Sequence, residues 1–316
     1  MTGRQEDEIK LKNKIQKMLI DKPIILKKYY AYMGENKTEK TKNLYILGLI
    51  RYNNFLIINN HTVEDFDYLQ NQKKTNINEY IEELKYRNVN GKIINNSRSN
   101  IRTNLYAVKS FFEFLEDEEY ITKNPFYNFK FPKLNEIIEV RPIEKSDIKE
   151  IKANIRAFSK NPERDEAIFV IGIKTGLRAS AITEINISDI NWEDHTIKVT
   201  EKGNVTRLVY FGENTETALI KWLDVRKETP NCDALFINNR GQRINYSIIN
   251  RMLKKYGLGN VPHNLRKTYG TNLYDESGDI YLTAEGLGHK NIQNTKRYAR
   301  VSEKKKLQAA RLVDKI

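Results

Sequence analysis

The stretch LGHKNIQNTKRYARV, residues 287–301, sets His289 nine positions ahead of Tyr298 in an otherwise polar run. The chain has 18 tyrosines, so the residue type alone carries little information. A phenol ionises near pH 10 and is a weak nucleophile until cations and a base help remove its proton. The reading of Tyr298 therefore depends on which charged groups the rest of the chain supplies.

Working outward, VPHNLRKTYGT (261–271) places His263 and Arg266 three apart, on one face of a helix opened by Pro262. Backbone N–H groups at that helix start favour an anion. TGLRASAITEI (175–185) puts Arg178 just after a helix stopped by Gly176, where its guanidinium is free to reach out of the core. Two β-rich runs, TIKVT and TRLVYF, flank a KGN turn and predict a hairpin with Lys202 at its tip. Lys198 and Arg207 on the flanking strands compete with Lys202 for any role there. Two guanidinium groups, a lysine, two histidines and a tyrosine suit metal-free phosphoryl transfer. The arginines would hold the non-bridging oxygens, and the lysine would protonate the leaving 5′ oxygen.

Other chemistries lack their signatures. There is no GxxxxGK[ST] loop, HExxH or GxSxG, and the histidines at 61, 195, 263 and 289 are too scattered to read as a metal site. The expectation is a reaction without metal, nucleotide or bound cofactor. The single cysteine, Cys232, excludes an intramolecular disulfide. No apolar run is long enough for a membrane span, and the charged N-terminus has no signal core, which predicts a cytoplasmic protein.

Fifty-four Lys and Arg against 41 Asp and Glu give a net charge of +13, with the larger excess after residue 140. That balance fits a polyanionic partner; an AT-rich coding sequence, which favours Lys, Asn, Ile and Tyr, would give it too.

The first 20 residues read as a charged helical lead-in. Residues 21–132 carry helical periodicity, with Tyr45, Leu49, Tyr52 and Leu56 on one stripe. A second helix over NINEYIEELKYRN is expected to end at the polar NVNGK. The clearest stripe is Ile101, Leu105, Val108, Phe112 and Leu115, capped by Ser97 or Ser99. Prolines 125, 132 and 142 bracket a stretch without amphipathic period, so 133–141 reads as a linker. Residues 142–316 mix helices with the hairpin, a short β signal at ALFIN-NRGQRI, a helix through NIQNTKRYARV, and a basic helical tail with an apolar stripe at Leu307, Ala310 and Leu312.

Taken in order, TGLRASAITEINISDI, the hairpin Lys202, PHNLRKTYGTNLYDESGDI and LGHKNIQNTKRYARV resemble the tyrosine recombinases, most of all the phage and transposon integrases and Xer-type members. The resemblance covers roughly residues 140–305 and extends more weakly to the helices ending at NPF. It implies a mainly α fold with a small β component, in which a helical core-binding domain and an α+β catalytic domain clamp the DNA. Arg178 matches the first arginine, Lys202 the hairpin lysine, His263 and Arg266 the HxxR box, His289 the second histidine and Tyr298 the nucleophile. Implied as well are a 3′-phosphotyrosine intermediate, double-stranded DNA as partner, a nucleoid-associated cytoplasmic location, and a homo-tetramer on DNA that is monomeric or dimeric when free. The tail would pack on its own domain or dock into a neighbouring protomer.

Two positions depart from the pattern. Ala181 stands where an acidic residue is common, with Glu184 one turn further on, and Lys267 stands where a histidine is frequent. Two other readings follow from the same residues. One is DNA relaxation of the type IB topoisomerase kind; the other is a DNA-binding regulator whose site has decayed, for which Ala181 is the best support.

Overall fold

The computed structural model describes residues 3–89, 92–132, 142–201, 205–229, 232–289, 291–296, 298, 311 and 313–314. The chain divides into two compact units, Met1–Ile137 and Ile138–Ile316. The expected linker, 133–141, lies outside the described residues, as do Lys202 and most of the basic tail.

The first unit runs α1 (Gly3–Met18), α2 (Ile24–Tyr32), α3 (Glu39–Ile58), α4 (Phe66–Gln70), α5 (Lys74–Leu84), β1 (Tyr86–Val89), β2 (Lys92–Asn95) and α6 (Arg98–Asp117). Ser97 caps α6, its hydroxyl accepting the Asn100 N–H at 3.2 Å. The stripe read from the sequence faces inward, since Ile101, Leu105, Val108, Phe112 and Leu115 are all buried. α3 lies close along α6 because Gly48 has no side chain. A β-carbon there would sit 2.9 Å from that of Ala107. The polar stretch after α5 was expected to be a simple helix end. Instead β1 and β2 pair antiparallel, Tyr86 opposite Asn95 and Val89 opposite Lys92. In the sequence the two strands flank Asn90-Gly91, a dipeptide that is a strong hairpin signal.

The second unit runs α7 (Lys145–Phe158), α8 (Pro162–Thr175), α9 (Ala179–Glu184), β3 (Ile190–Asn191), β4 (Thr196–Glu201), β5 (Val205–Tyr210), α10 (Glu213–Val225), α11 (Tyr246–Tyr256), α12 (Pro262–Ser277) and α13 (Ile280–Leu287). Among the described residues the chain is mainly α with a small β component. Helix α8 is the spine of this unit, with Ala167 through Ile171 all buried. Its apolar middle is buried because α7, α10 and α12 all pack against it. Helix α12 approaches at Gly172, where a β-carbon would meet Leu265 at 2.6 Å. The sheet is antiparallel in the order β3-β4-β5. The β signal at ALFIN-NRGQRI yields only isolated bridges, Asn186 to Ala234 and Ile237 to Arg243.

Candidate active site

The site is built where α8 ends. Gly176 adopts φ +64° and stops the helix in the left-handed region, where a β-carbon would strike the Tyr269 ring at 2.3 Å. The reversal buries Leu177 and leaves Arg178 half-buried as the first residue before α9.

Helix α12 starts with Pro262 in its first turn, an arrangement that costs no hydrogen bond. His263 is exposed on that turn. One turn later Arg266 is 2% exposed. Its guanidinium donates to the carbonyl of Gly176 at 2.8 Å and, at shorter range, to that of Leu287. One side chain therefore ties the α8–α9 corner to the end of α13. Burial, and after it the charge of Arg178, pushes the Arg266 guanidinium down to about 9, while Tyr298 pulls the other way and Arg207 adds to the repulsion. Arg178 is likewise lowered by burial and by Arg207, against an opposing Tyr298.

Helix α13 ends at Gly288, φ +62°, and the His289 N–H closes back onto the Ala284 carbonyl at 2.9 Å. The imidazole is half-buried, with Nδ1 2.8 Å from the Thr295 hydroxyl. A short 3-10 turn, Ile292–Asn294, follows where helix was expected; residues 297 and 299–301 of that expected helix lie outside the described residues. Tyr298 is 4% exposed, and its N–H donates to the Thr295 carbonyl at 2.8 Å. The phenol ring rests on Gly270 of α12, where a β-carbon would lie 3.0 Å from Cε1. It also lies nearly parallel to the His289 ring, with centroids 6.3 Å apart and planes at 21°.

Arg178, Arg266, His289 and Tyr298 thus meet in one cluster although 120 positions separate the first from the last. His263 stands at the exposed start of the helix that carries Arg266. Lys202 falls outside the described residues. Of its two competitors, Lys198 is exposed and pairs across the hairpin with exposed Leu208. Strand alternation turns Arg207 to the other face, opposite buried Val199. There it reaches Gly288, at which a β-carbon would sit 2.7 Å from Arg207 Nε. Burial lowers Arg207 too, opposed by Tyr269. Tyr269 escaped the sequence reading. It lies one turn beyond Arg266, fits against Gly176 and Gly286, and is raised by burial while Arg207 and Arg266 lower it. The helical spacing from Arg266 was the available signal. Ala181 is buried in the apolar core, so this position brings no carboxylate to the cluster. Glu184 closes α9.

Three guanidinium groups and two phenols gathered in a poorly solvated corner form a receptor for an oxyanion. Among the described residues no group of three or more His, Cys, Asp or Glu is placed to hold a metal, and no helix is long and apolar enough to cross a membrane.

The chain is a member of the phage integrase family, whose pattern matches residues 141–305, and the tyrosine recombinase resemblance read from its motifs holds. The chain is similar to the tyrosine recombinase XerC of Corynebacterium glutamicum, 41% identical over 162 residues that cover 48% of this chain and 53% of that one. It is also similar to XerC of Natranaerobius thermophilus, 31% identical over 66% of this chain and 74% of that one. The first of these matches therefore spans only about half of its relative. In fold, the chain resembles XerH site-specific recombinase bound to palindromic difH substrate in a post-cleavage complex, with TM-score 0.69, 20% identity, and 88% and 81% of the two chains covered. It likewise resembles residues 82–397 of the Tn1549 transposon integrase in complex with circular intermediate DNA, with TM-score 0.69, 20% identity, and 90% and 98% covered.

Proposed function

We propose that this protein is a site-specific DNA recombinase that cuts and rejoins strands through a 3′-phosphotyrosine at Tyr298. The phenol oxygen attacks the scissile phosphorus, the bond to the 5′ oxygen breaks, and the 5′ hydroxyl leaves with a proton from Lys202. We assign uptake of the phenol proton to His263. Arg178 and Arg266 hold the non-bridging oxygens, where their charge counts most as the phosphorus gains a fifth oxygen. His289 donates to the same oxygens. A 5′ hydroxyl from the partner duplex reverses the step, and the ester conserves the bond energy. The observation that carries this reading is the lodging of Tyr298 between Gly270 and His289 within charge range of two guanidiniums, half-buried Arg178 and buried Arg266. XerH bound to difH substrate and the Tn1549 integrase in complex with circular intermediate DNA, both similar in fold, support DNA as the partner.

In this reading residues 21–132 form the core-binding domain and 142–316 the catalytic domain, both acting on duplex DNA in the cytoplasm. Four protomers pair two sites and exchange strands through a four-way junction. The test uses nicked suicide duplexes drawn from a random-sequence pool. Wild-type protein is expected to trap a covalent adduct; Tyr298→Phe is expected to bind the selected duplex and trap none. Relaxation of supercoiled plasmid without any selected site would favour a topoisomerase instead.

A further inference from the structure

Thr295 lies between the histidine and the tyrosine of the site, and no role falls to it in the chemistry above. It is completely buried, and it touches both neighbours. Its hydroxyl sits 2.8 Å from His289 Nδ1, and its carbonyl accepts the Tyr298 N–H at 2.8 Å. We infer that Thr295 is a positioning residue: it fixes His289 as the Nε2–H tautomer and holds that ring and the Tyr298 backbone in one frame.

The assignment follows from counting protons. A neutral imidazole has one nitrogen that donates and one that accepts, and the partner of one nitrogen decides the role of the other. A buried hydroxyl proton needs an acceptor. A threonine in this backbone conformation (φ −92°, ψ −25°) often turns its hydroxyl back to a carbonyl three or four residues earlier. Here the hydroxyl is instead turned to His289 Nδ1 at 2.8 Å, and the Ile292 carbonyl already receives two N–H groups, those of Thr295 at 2.8 Å and Lys296 at 3.2 Å. The hydroxyl proton therefore goes to Nδ1, the proton of the imidazole resides on Nε2, and the phosphate contact falls to an N–H donor. The opposite tautomer would aim a lone pair at an anion, and it would leave the proton of a fully buried hydroxyl unmatched.

The same residue couples histidine and nucleophile through the backbone. The His289 N–H is fixed by the Ala284 carbonyl, and Tyr298 by the Thr295 carbonyl. Both ends of the 289–298 segment are thus referenced to Thr295, which keeps the two rings near parallel at 6.3 Å.

The inference rests on the proposed strand-cleavage reading, and the test separates the two. Selective ¹⁵N-histidine labelling of the full chain, at a pH above the ordinary histidine range, reports the tautomer of His289 without DNA. Wild type and Thr295→Ser are expected to show protonated Nε2 and bare Nδ1, and Thr295→Val a mixture. Protonated Nδ1 in the wild type would overturn the inference outright, even if the valine variant failed to fold. With duplexes selected by the wild-type chain, Thr295→Val should slow single-turnover adduct formation about tenfold, the worth of one hydrogen bond, at unchanged DNA affinity. Thr295→Ser should recover most of the rate. In a His289→Ala background, Thr295→Val should cost little more. Equal rates for Thr295→Val and wild type, or fully additive losses with His289→Ala, would overturn the positioning role. A wild-type chain that trapped no DNA would instead refute the cleavage reading, and the tautomer would still decide the fate of this one.

Discussion

Replacing Arg266 with methionine separates the stability of the site from its chemistry. The guanidinium is held near 9 against an ordinary 12.5. Confining it as a cation therefore costs the folded state about 5 kcal/mol at neutral pH, at about 1.4 kcal/mol for each power of ten. Its two bonds to the Gly176 and Leu287 carbonyls work in the other direction. Leaving those buried acceptors unpaired costs about 1–3 kcal/mol each. Methionine fills much of the volume, so the two effects nearly offset, and Arg266→Met is expected to change stability by less than about 2 kcal/mol. Cleavage is a different matter. Loss of a charge-assisted donor to the transition state should slow adduct formation by about a hundredfold to a thousandfold. Both tryptophans, Trp192 and Trp222, belong to the second unit, so tryptophan fluorescence during urea unfolding reads the relevant stability. The pH dependence has a definite sign. A cation lowered by folding burdens the folded state fully below about pH 9, and the burden fades as pH rises through 9. Wild type should therefore gain on the variant by up to about 1.4 kcal/mol per pH unit above 9. A variant destabilised by more than about 4 kcal/mol, or one that cleaves within tenfold of wild type, would refute this reasoning.

Gly270→Ala pushes a methyl group toward the Tyr298 ring at 3.0 Å. It should cost about 1–3 kcal/mol in tryptophan-monitored unfolding and lower adduct yield by displacing the nucleophile. Arg207→Ala should weaken adduct formation while Lys198→Ala leaves it near wild type, because only the former side chain turns toward Gly288; equal effects would show that strand parity does not select the participant. In the first unit, Phe112→Ala empties a fully buried site between Tyr52 and Phe126. An expected loss of about 3–5 kcal/mol would appear as a lower melting temperature for that unit by calorimetry.

Much of this was legible in the residues because local and global preferences agree there. Pro162 and Gly176 bound α8 on both sides, and the stripe from Ile101 to Leu115 gave α6 its buried face. The hairpin over 196–210 followed from alternating β-rich runs about a turn. By contrast, β1 and β2 were hidden by their polar residues, although Asn90-Gly91 carried the signal. The stretch after His289 forms a 3-10 turn at Ile292–Asn294, and the Thr295 hydroxyl that follows it meets the His289 ring, a contact that no local pattern announces. Among site residues, motif order found Arg178, Arg266, His289 and Tyr298. Choosing between Lys198 and Arg207 needed the face of each strand residue; Tyr269 was signalled only by its helical spacing from Arg266, and Thr295 matters through contacts that no periodicity encodes.

In the proposed reaction one oxygen of the chain, that of Tyr298, becomes bonded to DNA phosphorus. Digesting the trapped complex with trypsin and nuclease and sequencing the nucleotide-bearing peptide by mass spectrometry identifies the bonded atom. The expected product is a phosphodiester on Tyr298 joined to a 3′ nucleotide end. Attachment at any other side chain, or through a 5′ end, would refute the proposed chemistry.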